Sequence, residues 1–165
     1  MCAGNHPDLL VRQVSLHDPV VEPLLDELAH EYATRYERDP AQMHKSLRVD
    51  FPAEEFAAPT GTMLVVLEGG SAVAGGAFRR YDAETAEIKR VWTHSEHRRR
   101  GLARRTLDEL ESEAARRGYH RMYLTTGTRQ PEARGLYLRA GYTPLFDTAA
   151  DPRELTGPLP CTKRL

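Results

Sequence analysis

The sequence has little sulfur and no long apolar run. Two cysteines, Cys2 and Cys161, stand among 165 residues. They make no framework of bridges and fit no metal spacing, which points to a reducing compartment. The longest strongly apolar run, Met63-Leu64-Val65-Val66-Leu67, is far too short to span a bilayer. The first seven residues hold no basic region leading into an apolar stretch, so no export signal is expected. Charge of one sign is missing as well. With 23 Lys and Arg against 24 Asp and Glu the formal net charge is −1. No global field therefore favours nucleic acid or an anionic membrane, and any basic function must be local. Internal repeats and low-complexity segments are absent. The length suits a single domain over 1–165, long enough to bury roughly 70% of its unfolded surface.

The local exception is Arg98-Arg99-Arg100-Gly101-Leu102-Ala103-Arg104-Arg105. A helix pattern runs out of it, with Ala103, Leu107, Leu110 and Ala114 on one face and Gly118 as the stop. A strand-like stretch, Glu87-Ile88-Lys89-Arg90-Val91-Trp92-Thr93, precedes it. Backbone N–H groups at a helix start lack internal partners, and the peptide dipoles leave about half a positive charge there. Gly101 and Ala103 let a ligand approach the backbone, and the arginines add permanent charge. A diphosphate would fit. A solvated basic helix start is the bland alternative. No Gly-Lys-Ser/Thr follows Gly101, and no further glycines complete a dinucleotide fingerprint.

Taken in order, residues 9–14 read as a first strand. Asp18 and Pro19 open a helix in cap-then-proline order, with Val21, Leu24, Leu25, Leu28 and Tyr32 as its stripe. Asp39-Pro40 breaks it. Residues 41–59 are patterned poorly and read as a loop with a short helix near 52–57, a candidate lid or a packed excursion. Strands over 62–68 and 71–79 join at Gly69-Gly70, a strong hairpin signal. Ile88 and Val91 stand an odd number of residues apart, which breaks strict alternation and permits a bulge. Further strands are expected at 120–125, 142–146 and 161–165, with a helix from Pro131 to Gly141. A mixed α/β sheet covered by helices follows from this alternation.

Arg98-x-x-Gly101-x-Ala103 after a strand resembles the pyrophosphate-binding motif of the GNAT superfamily of acyl-CoA-dependent N-acyltransferases, written Gln/Arg-x-x-Gly-x-Gly/Ala. Gln130-x-x-Ala133-x-x-x-Tyr137-x-x-x-Gly141-Tyr142 is similar to the family's second CoA-facing motif, with Gln130 in place of the usual Asn. The order of elements is similar over nearly the whole chain. The resemblance implies an α+β fold: a mixed, mostly antiparallel twisted sheet of about seven strands, splayed at its centre and flanked by about four helices. It implies acetyl-CoA as co-substrate. The pantetheine arm would pair with the backbone near Trp92 and Thr93, between that strand and the next. The diphosphate end would rest on Arg98, Arg99, Arg100, Gly101, Leu102, Ala103 and Arg104, with Gln130 and Ala133 from the second motif.

The reaction implied is attack of a neutral amine on the acetyl thioester. An alkylammonium of pKa ~10.4 is about one part in a thousand free base at neutral pH, a deficit of roughly 4 kcal/mol. A base therefore helps. Glu87 stands eleven residues before Arg98, the offset of the catalytic Glu in the histone acetyltransferase branch, and is the candidate base, direct or through water. A surface ion pair is its alternative role. Tyr137 is the candidate acid toward the leaving thiolate; a core tyrosine is the alternative. A backbone N–H near Trp92 or Thr93 would take the oxyanion. His94-Ser95-Glu96-His97 lacks further ligands, so no metal is expected. The acceptor is expected to be a small-molecule amine. Acidic Glu31, Glu37, Asp39, Asp50, Glu54 and Glu55 are candidates to receive a cationic one, or form an ordinary solvated face. Acetylation of a protein lysine or N-terminus, and a non-catalytic acyl-CoA-binding module, remain open. The expected setting is cytoplasmic, without nucleic-acid or membrane partners. The sequence does not set the oligomeric state; the resemblance leaves a homodimer open, since sheet-edge dimers are frequent in relatives.

Overall fold

Seven strands form one sheet among the described residues of the computed structural model, which are 8–165. Cys2 and the expectation about an export signal lie outside them. The strands are β1 Leu9–Gln13, β2 Thr62–Glu68, β3 Ser71–Arg80, β4 Thr85–Thr93, β5 Arg121–Thr126, β6 Thr143–Pro144 and β7 Leu159–Arg164. The helices are α1 Glu22–Tyr36, α2 Pro40–Val49, α3 Leu102–Arg116 and α4 Pro131–Arg139. The sheet order is β1-β2-β3-β4-β5-β7-β6. Every neighbouring pair is antiparallel except β4 with β5. This is the mixed, mostly antiparallel architecture expected. No helix of the described residues is long and apolar enough to cross a membrane.

Apolar residues leave the sheet on both faces. Leu24, Leu25 and Leu28 of α1 pack with Met63, Val65 and Trp92 on one face. Leu107, Leu110 and Ala114 of α3 pack with Leu64, Ile88, Met122 and Tyr137 on the other. Middle strands covered on both sides read as continuous apolar runs, as β2 does. Gly75 and Gly76 of β3 allow both layers to come close. A Cβ at Gly75 would lie 2.9 Å from Leu24 Cδ1, and one at Gly76 3.0 Å from Leu110 Cδ1.

The segment 41–59 differs from expectation. α1 already stops at Tyr36, with Glu37 left-handed at its C-cap; Asp39, whose carboxylate accepts from Ala41 N at 2.9 Å, caps a second helix that Pro40 starts. Only Met43 and Leu47 bury an apolar side, too few to announce a stripe. The short helix expected near 52–57 is a 3-10 turn, Ala53–Phe56. β6 is shorter than expected, and β7 begins two residues earlier.

The bulge lies at Arg90. Gly75 opposes Trp92 and Ala77 opposes Lys89, so Gly76 faces two residues, Arg90 and Val91. Arg90 sits at φ 60°, in the left-handed region. The extra residue switches parity: Ile88 and Val91 pack on one face, and Trp92 turns to the other. β4 and β5 pair only from Thr85 to Glu87, opposite Arg121 to Tyr123, and then diverge. The wedge beyond is the centre of the site.

Glu113 closes the far end of α3. Its buried carboxylate is held by Arg116 Nε at 2.9 Å and Arg117 Nε at 2.8 Å. Arg117 also donates to the Gly61 carbonyl and to Gln13 Oε1. Burial works to raise the Glu113 carboxyl, but the two guanidinium groups outweigh it and hold it below the usual carboxylate range. Its contribution to stability is therefore present above the unfolded pKa and lost as pH falls through the lower folded value. Glu113→Gln is expected to cost about 1–3 kcal/mol near pH 7. The gap from the parent should close below pH 4.5, the ordinary value. Urea unfolding at two pH values measures this; a gap of constant size would contradict it.

Candidate active site

Two cavities open from the β4–β5 wedge and share a wall. The larger, about 560 Å³, is lined by Val91, Trp92 and Thr93 of β4, the corner residues Arg98, Arg99, Gly101, Leu102, Ala103 and Arg104, and Gln130, Ala133 and Tyr137 at α4. The smaller, about 260 Å³, is lined by Lys89, Arg90 and Val91 of β4, Thr125 and Thr126 of β5, Tyr32 of α1, and again Gln130, Ala133 and Tyr137. Val91, Gln130, Ala133 and Tyr137 belong to both.

The corner is built as an anion site. Arg99 at φ 64° and Gly101 at φ 72° are both left-handed and turn the chain sharply into α3. No side chain caps α3, and its first turn holds no acid. Its first N–H groups are therefore free for a ligand. The exception is Arg100. It lines neither cavity and turns back to pair with Glu68, with its Nη1 at 2.8 Å from His97 Nδ1. No sequence signal announces this pair, because Glu68 is distant in the chain and meets Arg100 only through the β2–β3 hairpin.

Glu27 of α1 fixes the strand end. Its carboxylate accepts from Trp92 Nε1 at 3.2 Å and from Ser95 N at 3.0 Å. Burial works to raise this carboxyl, but the Ser95 bonds, His94 and Trp92 together hold it below the usual range. The Trp92 ring is thus committed to α1, and only the rest of the residue is left to the cavity. Thr93 Oγ1 is buried without a partner beside the larger cavity.

Tyr137 is 8% exposed and stacks edge-on to Tyr142 at 5.9 Å. Burial pushes its phenol well above the ordinary value. It stays neutral, and keeps its proton, through the whole neutral range. Gln130 Oε1 accepts from Gly127 N at 3.0 Å, bracing the turn before α4.

Glu87 is placed elsewhere. It precedes the bulge and lines neither cavity. Arg79 Nε lies 3.0 Å from its Oε1 and Lys89 Nζ 3.6 Å from its Oε2. Arg79 in turn pairs with Glu55 at 2.6 Å. The wedge thus gathers Tyr137, Gln130, Ala133, Trp92, Thr93 and the corner, but neither Glu87 nor Arg100. Sequence reasoning missed Glu27, Lys89, Arg90 and Thr126. The charged pair Lys89-Arg90, set between apolar Ile88 and Val91, was the available signal.

These features fit a long ligand with an anionic end and a narrow reactive end. The family model described as the acetyltransferase (GNAT) family matches residues 23–142. YsnE of Bacillus subtilis, an uncharacterised N-acetyltransferase, is 33% identical over 107 residues, which are 62% of this chain and 71% of that protein. The structure of the PaiA N-acetyltransferase from Thermoplasma acidophilum in complex with coenzyme A superimposes with a TM-score of 0.72 at 14% identity, over 96% of this chain and 99% of that one. An acetyltransferase from Streptococcus agalactiae gives 0.72 at 16% identity, over 95% and 98%. The uncapped helix start, the arginines and the orphaned Thr93 hydroxyl suit the acyl-CoA that this family uses. The chain belongs to the GNAT acetyltransferase family.

Proposed function

We propose that this protein is an N-acetyltransferase that moves the acetyl group of acetyl-CoA to the primary amine of a small molecule, and that the whole chain is one catalytic domain. The carrying observation is that two cavities meet at Tyr137, one of them running to the arginine corner. The N–H groups at the start of α3, with Arg98, Arg99 and Arg104, would hold the diphosphate. Val91, Trp92 and Thr93 would line the pantetheine arm, and a backbone N–H on this strand would receive the developing oxyanion.

Bound acetyl-CoA would supply the thioester. The amine nitrogen forms the new bond to the carbonyl carbon, the carbon–sulfur bond breaks, and the sulfur leaves with the electron pair. Tyr137 would donate its hydrogen bond to that sulfur. The amine's proton must leave by another route. Glu87 pairs with Lys89 and lines neither of the two cavities, so the route we assign to it runs through water. The smaller cavity, about 260 Å³, falls just under the usual range for small-molecule pockets of about 300–1,000 Å³. That supports a small acceptor over a protein segment.

Thiol release from acetyl-CoA across an amine panel tests the reading. Turnover with at least one small amine is expected; binding of CoA with no release from any amine would favour a non-catalytic module. Glu87→Gln is expected to lower turnover about tenfold at pH 7 and to recover toward pH 10, because the free-amine fraction rises with pH. A loss equal at every pH would leave Glu87 only its hold on Lys89 and Arg79.

A further inference from the structure

The smaller cavity carries the wrong charge for a polycationic acceptor. Its lining includes no carboxylate and two cations, Lys89 and Arg90. Lys89 is partly answered by Glu87 at 3.6 Å. Arg90 is not. Its Nη2 donates to the Leu47 carbonyl at 3.0 Å, and its guanidinium lies 5.8 Å from the centre of the Phe51 ring. It makes no ion pair among the described residues, and its Nε is buried without a partner. Tyr32 and Asp50 lie near enough to favour its charge but not to pair with it. Three of the six acidic candidates near the first helix are also spent: Glu55 holds Arg79, Asp39 caps α2, and Glu31 holds Arg35.

A second atom has the same need. Thr126 is 5% exposed, lines the same cavity, and its Oγ1 has no partner. The buried Nε of a half-buried guanidinium and a buried hydroxyl, each without a partner, cost free energy unless something else supplies the bond. Arg90 is moreover held at φ 60° by the bulge, a conformation uncommon for a residue with a side chain. Bulges re-aim side chains next to active sites.

Resting on the acetyltransferase reading, we propose that the acceptor amine also carries a carboxylate, and that Arg90, with Lys89 and Thr126, binds it in the smaller cavity. The acceptor class is then the amino acids and related amino-carboxylates. A carboxylate suits the site because an arginine Nε–H is a directed donor to a planar anion, and the threonine hydroxyl adds a second bond. Tyr137 and Val91 form the wall shared with the larger cavity. The amine end of such an acceptor points at that wall, where the thioester of the proposed reaction would lie.

The test uses binding, so that it does not depend on turnover. N-acetylglycine, N-acetylmethionine and N-acetylphenylalanine, each beside its carboxamide, are titrated calorimetrically into the full chain, alone and with CoA. N-acetylphosphoethanolamine is included as an anion of different shape. At least one acid is expected to bind at least ten times more tightly than its amide. Arg90→Met should erase that difference with CoA affinity unchanged, and Thr126→Val should narrow it in a protein that keeps Arg90. Amides binding as well as acids, a gap that survives Arg90→Met, or tighter binding of the phosphate than of every acid would overturn the proposal. Loss of CoA binding by the parent protein is read separately. It would overturn the acetyltransferase reading while the acid–amide comparison still reports on the cavity.

Discussion

Gly101→Glu is expected to raise the Kd for CoA about 100-fold, a loss of roughly 2.7 kcal/mol. Two effects add. The new carboxylate sits at the uncapped start of α3 among Arg98, Arg99 and Arg104, where it satisfies the donors a diphosphate would use and repels the diphosphate itself. The backbone at φ 72° also disfavours any side chain, by about 1–2 kcal/mol. Crowding within the protein is not part of the effect, since a Cβ at Gly101 meets nothing within 4 Å. Gly101→Ala separates the two. It carries the strain without the charge, so its melting temperature should fall like that of Gly101→Glu while its CoA affinity drops only a few-fold. Calorimetric titration reads both; equal affinities in the two variants would remove the corner's charge from the binding.

Tyr137→Phe is expected to lower kcat about 100-fold, near the lower end of what a positioned proton donor contributes. The KM for acetyl-CoA should change by no more than about threefold, because the ring that lines both cavities is kept. The pH profile carries a further sign. Burial raises the phenol's pKa above its ordinary value of 10.0, so the donor is not lost as pH rises through 10. The parent's kcat should therefore show no alkaline limb from Tyr137 below that pH. A variant with normal kcat and weakened acetyl-CoA binding would make Tyr137 a wall of the cavity and nothing more.

Much of this was legible in the chain because local rules and tertiary structure agree there. The arginine corner needs a strand, a left-handed turn and a helix start in succession, and all three have short sequence signals. The odd spacing of Ile88 and Val91 permitted the bulge that the structure shows, because a strand's side chains alternate with period two. The second helix was hidden for a related reason: Met43 and Leu47 are its only well-placed apolar residues, and Asp39-Pro40, which reads as a helix breaker, is the cap and first residue of a new helix. Side-chain partners were the least legible. Arg100 looked like the four other arginines of the corner until the hairpin brought Glu68 beside it. Glu87 stands at the family offset, yet Arg79 and Lys89 occupy its carboxylate. On the acceptor side the acids on and after α1 were readable as a cation's seat or as an ordinary solvated face. Folding commits Glu31, Asp39 and Glu55 within the protein and lines the smaller cavity with Lys89 and Arg90.

The structure of the protein with bound CoA is the most direct measurement of the central claim. The diphosphate is expected against the backbone N–H groups that follow Gly101, and the sulfur is expected within hydrogen-bond reach of Tyr137 Oη, between the two cavities. A diphosphate bound away from α3, or a sulfur separated from Tyr137 by protein, would contradict it.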